Sequence, residues 1–172
     1  AGYINPHCIS NVSLRLRKLK SENRLILAAW HHNTSGGPFS SDYMDNSLIQ
    51  NFIADEIKIG FHGHQHKSEV IRVENNIIEN KSMLILSAGS ICAGPDELPA
   101  GHRQQYNILE INRKTNTSIE LKVHSREKSL ESNYENPIWH KSLFDSSCDF
   151  FHTELFHEKP KKIDMQELQE AE

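Results

Sequence analysis

The sequence predicts an α/β fold, on three observations. Two apolar runs of strand length, residues 24–30 and 57–61, each end abruptly in histidines and a polar loop. A stretch with helical spacing lies between them. Past Lys67 the chain turns strand-rich, so the expectation is a mixed sheet with helices packed against it.

The elements follow in order. SNVSLRLRKLK, 10–20, opens on a capping serine and reads as a short helix. RLILAAW, 24–30, reads as a buried strand, and the loop HHNTSGGPFSSDYMD follows it, crowded with Asn, Ser, Gly and Pro. Asp45 is a good N-cap for NSLIQNFIADE, where Leu48, Ile49, Phe52 and Ile53 recur at helical spacing. IKIGF, 57–61, is the next strand. After it come EVIRV, NIIEN, MLILSAG (83–89), QYNILEI (105–111) and SIELKVHS (118–125), with NRKTNT as a hairpin connection. The pattern dissolves from about Glu127, giving a predicted division into 1–126 and an irregular tail, 127–172, ending in a short acidic helix, IDMQELQEAE. That tail carries Tyr134, Trp139, Phe144, Phe150, Phe151 and Phe156, too many aromatics for a free linker, and is expected to pack on the domain or on a partner, the domain being preferred.

Composition excludes several classes. The 172 residues suffice for one domain with a real core, and no apolar run reaches the roughly 18 residues of a membrane helix. A formal charge of −4 is mild and gives no global argument for nucleic acid or an anionic membrane as partner. The basic cluster RLRKLK is a solvated helix face. Cys8, Cys92 and Cys148 are odd in number and lack CxxC spacing, which with no visible signal peptide predicts a reducing, cytoplasmic setting.

The chemistry concentrates in GFHGHQH, 60–66. Residues i and i+2 of an extended segment point to one side, so His64 and His66 can aim at a common point, and Gly63 lets the backbone turn. Imidazoles suit Zn, Mn or Fe. A second apolar strand ends in His31 and His32, and strand ends are where open α/β sheets place ligands. A polar loop with chance histidines is the plain alternative.

The strand ending in HHN and the strand ending in GHQH resemble the two C-terminal signature blocks of the calcineurin-like metallophosphoesterases. The resemblance runs from Arg24 to about Ser125. It implies a β-sandwich flanked by helices, a centre of two divalent metal ions (Mn, Fe or Zn) and a phosphate mono- or diester substrate, nucleic acid entering only as such a substrate. It also assigns His31, His64 and His66 as metal ligands, His31 and His64 on one ion and His66 on the other. His32, Asn33 and Arg103 become weaker candidates for substrate contact, with Asp42 and Tyr43 in the loop walls. His62 is expected to pack or support, and His102, His124, His140, His152 and His157 match no motif position.

The family's N-terminal blocks, D-x-H, G-D-x-x-D and G-N-H-[DE], are not found. GPDELPAG (94–101) lacks a second aspartate at the needed place, and GHR (101–103) is not GNH. Three histidines shared between two ions cannot hold both, since a site normally offers roughly three or four protein ligands per ion. No catalytic residue is therefore assigned, and the chain alone is expected to be inactive. Its start at Ala1 without methionine favours the C-terminal piece of a longer enzyme over a site completed by a second chain or a degenerate scaffold. Two other motifs fit less well: the histidine triad of nucleotide hydrolases alternates with apolar residues where Gly63 and Gln65 stand, and HHN nuclease motifs do not share the paired-strand context. The non-enzymatic alternative is a binding module that keeps a partial metal site.

Overall fold

The computed structural model describes residues 5–19, 24–34, 43–142 and 148–156. Helix α1 (Pro6–Leu19) begins earlier than predicted. Asn5, not Ser10, caps it: the Asn5 Oδ1 accepts from the His7 N–H at 2.9 Å. Pro6 then takes the first helical position, where a missing N–H costs nothing. Strand β1 (Leu27–Trp30) is shorter than the apolar run, because only these residues find partners on β2 (Ile59–His62). Between them α2 (Asn46–Ala54) starts at Asp45, whose Oδ1 accepts from the Ser47 N–H at 2.8 Å.

Strands β3 (Glu69–Glu74) and β4 (Ser82–Ser87) complete a first sheet ordered β1-β2-β4-β3. β1, β2 and β4 run parallel, and β3 pairs antiparallel to β4. NIIEN is not the strand predicted. The Asn75 Oδ1 accepts from the N–H groups of Ile77 and Ile78 at 2.9 and 2.8 Å, which turns the chain instead of extending it.

The second sheet is β5 (Gln105–Arg113), β6 (Ser118–Lys128), β7 (Trp139–Ser142) and β8 (Phe151–Phe156). The expectation of an irregular segment after 126 is corrected here, since β7 and β8 lie end to end along the edge of β6 opposite β5. The boundary placed between 126 and 127 falls within β6. Of the tail aromatics, Trp139 meets Tyr106 edge to face at 4.9 Å and Phe151 packs inward, whereas Tyr134 and Phe156 are exposed. Phe144 and the acidic stretch 163–172 lie outside the described residues.

β4 shows how the layers are built. Met83 and Ile85 point to one face and pack with Leu48, Ile49 and Ile53 of α2 and Leu16 of α1. Leu84 and Leu86 point to the other and share a buried cluster with Ile59, Leu121, Val123 and Leu155. The strand is apolar from Met83 to Leu86 because both faces are covered, as parallel strands require. Helices thus cover one face of the first sheet and the second sheet covers the other. Among the described residues no helix is long and apolar enough to cross a membrane.

Candidate functional site

Because β1 and β2 are parallel neighbours with Trp30 opposite His62, both histidine motifs leave the sheet at the same end. His31 and His32 follow the last residue of β1, and Gly63 and His64 follow the last of β2. The imidazoles of His31 and His64 lie 5.2 Å apart between ring centroids, at 78°. His32 joins them, 5.6 Å from His31 and 6.1 Å from His64. Gly63 lies against the same ring: a Cβ there would meet His31 Nδ1 at 3.6 Å, an ordinary van der Waals contact. His31 and His64 are exposed, and His32 is half-buried.

The loop backbone is bent hard. His64 has φ 70° and His66 φ 53°, both in the left-handed region, at a cost of about 1–2 kcal/mol each for a residue with a Cβ. Such backbone places the two side chains by turn geometry, not by the alternation of a strand. The His66 Nδ1 and the Gln65 Oε1 are buried with no hydrogen-bond partner among the described residues.

His62 sits beneath the cluster. It is buried and stacks on Trp30, centroids 6.0 Å apart and planes at 15°. Its Nδ1 lies 2.9 Å from the Gly63 carbonyl. A carbonyl only accepts, so Nδ1 carries the proton and donates. Burial holds the His62 pKa below the ordinary imidazole value, outweighing that hydrogen bond and the Glu69 carboxylate, which pull the other way. His62 is thus a packed side chain, one of the two roles expected of it.

The weaker candidates have protein partners. Asn33 Oδ1 accepts from the Thr34 N–H at 2.7 Å, and its backbone bridges to Tyr43. Arg103 pairs with Glu127 at 3.3 Å. Asp42 lies outside the described residues. Sequence reasoning missed that Glu127 holds Arg103 and that Gln105 and Asn107 reach the histidine loop from the second sheet; no local pattern marks either.

The chain is similar in part to a solved Vps29 structure. That structure, of a double mutant from Entamoeba histolytica, is 16% identical, matches over 71% of this chain and 52% of its own, and gives a TM-score of 0.34. The chain thus spans about half the length of that protein. No family model matches, and no curated protein does.

The donor chemistry fits part of a divalent-ion site: converging imidazoles and a buried, unsatisfied His66 Nδ1 suit Zn, Mn or Fe. It does not fit a complete binuclear centre. Among the described residues no group of three or more His, Cys, Asp or Glu side chains is placed to hold an ion.

Proposed function

We propose that this chain carries the histidine wall of a metal-dependent phosphoesterase, which hydrolyses a phosphate mono- or diester in the cytoplasm. What supports it is the meeting of His31 and His64 at the ends of two adjacent parallel strands, as the signature blocks would require. His31, His64 and His66 would serve as ligands. The facing carboxylates and asparagine would come from an N-terminal half, in the same or another chain. Bound there, divalent ions would supply Lewis acidity, which would favour an ionised water and offset the charge that builds on a phosphate ester during hydrolysis. With the donor set incomplete, no catalytic step is assigned to these residues.

The second reading is an interaction module with a partial metal site, favoured by the absence of a three-ligand group among the described residues. One experiment separates the two. Metal content and hydrolysis of p-nitrophenyl phosphate and bis-p-nitrophenyl phosphate are measured for this chain and for the chain extended by its upstream coding sequence. Activity in the extended chain that is lost in His64→Ala supports the enzyme. Full activity in His64→Ala overturns it, and metal uptake without hydrolysis in either form favours the module.

A further inference from the structure

The loop that carries His64 and His66 is held from the second sheet. Where it exits, the Ser68 N–H donates to Gln105 Oε1 at 3.1 Å and the Ser68 hydroxyl donates to Asn107 Oδ1 at 2.8 Å. Asn107 Nδ2 donates to the Ser87 carbonyl at 3.0 Å. The Ser87 hydroxyl donates to the Lys67 carbonyl at 2.7 Å, closing a circuit from loop to β5 to β4 and back. Gln105 is anchored in turn, its Nε2 donating to Glu127 Oε2 at 3.1 Å and to Ser142 Oγ at 3.4 Å.

Each amide has one workable orientation. Turning Asn107 over would point its oxygen at the Ser87 carbonyl, and turning Gln105 over would set its NH2 against the Ser68 N–H. Gln105 and Ser87 are buried, where a half-satisfied polar network would be worse than an apolar one. Gln105 and Asn107 alternate along β5, so both face the loop, continuing the inward row that Leu109 occupies further along. Left-handed backbone at two histidines persists only where the surroundings over-determine it. The circuit supplies that constraint at the residues directly following His66.

We infer that Gln105 and Asn107 are positioning residues for the histidine loop, holding Lys67 and Ser68 so that His64 and His66 keep their left-handed backbone and their ring directions. Its functional meaning rests on His64 and His66 being ligands; the clamp itself does not.

The test uses this chain labelled at histidine, with the ring resonances of His64, His66, His124 and His152 followed by NMR and amide exchange read at Ser68. His124 and His152 lie on the face of the second sheet turned away from the core and serve as controls. In Asn107→Ala, Gln105→Ala and Ser68→Ala the rings of His64 and His66 shift while the controls stay. Exchange at Ser68 accelerates about tenfold, as expected for losing roughly one hydrogen bond. Ser68→Ala leaves β5 untouched, and Ser68→Thr, which keeps the hydroxyl, restores the parent spectrum. Unmoved His64 and His66 rings, or all four rings moving together, would overturn the clamp. A Zn2+ titration of the extended chain runs alongside: failure to bind Zn2+ there counts against the metal reading alone, because the ring shifts decide the clamp in the apo chain.

Discussion

Trp30 stacks on His62 across the parallel pair β1 and β2, and Gly60 is the residue that lets the indole lie there. A Cβ on Gly60 would come within 2.5 Å of Trp30 Cη2 and 2.7 Å of Cζ3. Phe52 also packs against the indole, with ring centroids 6.1 Å apart, so a shift of the ring away from Gly60 would disturb that contact.

Gly60→Ala should therefore cost about 1–3 kcal/mol, the usual range for overpacking a filled core. Denaturant unfolding followed by tryptophan fluorescence checks both the loss and a changed native emission. A variant as stable as the parent, within about 0.5 kcal/mol, would mean that the indole is not confined as described.

His31 and His64 should behave as one unit toward a divalent ion. Either His31→Ala or His64→Ala should weaken Zn2+ binding by at least about tenfold, and the double variant should lose little more than each single one, because ligands to a shared ion are not additive. Calorimetric titration of the three variants, made in the extended chain that would supply the missing ligands, gives the comparison. Additive losses would place the two rings on separate ions.

The Asp45 cap gives a pH dependence whose sign is fixed. The Ser47 backbone N–H, then the Ser47 hydroxyl, hold the Asp45 carboxyl below the ordinary value of 3.8, against a small opposing effect of burial. The folded state thus binds this proton less readily than the unfolded chain. The contribution is complete above that value and disappears as pH falls through the folded pKa. Asp45→Asn keeps an acceptor for Ser47 and should flatten this part of the acid profile; Asp45→Ala should lower the Tm at neutral pH as well. Thermal melts from about pH 5 to pH 2 are the measurement, and parallel profiles for the parent and Asp45→Asn would refute the assignment.

Leu121 is fully buried in the cluster that joins the two sheets. Leu121→Ala should cost about 2–5 kcal/mol, the sum of lost transfer energy and the cavity left behind. A loss below about 1 kcal/mol in equilibrium unfolding, at the level of a surface change, would show that the sheets do not share this layer.

How much of this was legible depended on range along the chain. Helix α2 could be read because Asp45 and the spacing of Leu48, Ile49, Phe52 and Ile53 are local signals, and β4 because its apolar run announces burial on both faces. The histidine pair was legible at one remove: two apolar strands ending in histidines suggested neighbours, and the register of Trp30 with His62 makes them so. NIIEN misled because its β-branched residues outweighed Asn75, whose side chain competes successfully for the N–H groups a strand would need. β7 and β8 were hidden because short strands such as WHKS and FHTELF exist only by virtue of the β6 edge. Gln105 and Asn107 carried no sign of their task, since Ser68 lies far away in sequence and their own strand reads as ordinary.

The parallel pairing of the first sheet also has a kinetic side. Leu27 must find Ile59 before the ends of β1 and β2 are aligned, and Ile59 must find Leu84 before β2 joins β4. Long-range parallel pairings close large loops before any contact rewards them and form slowly. The pairing that sets His31 beside His64 is of this slower kind. Close approach of the two rings thus reports that the central sheet is already assembled.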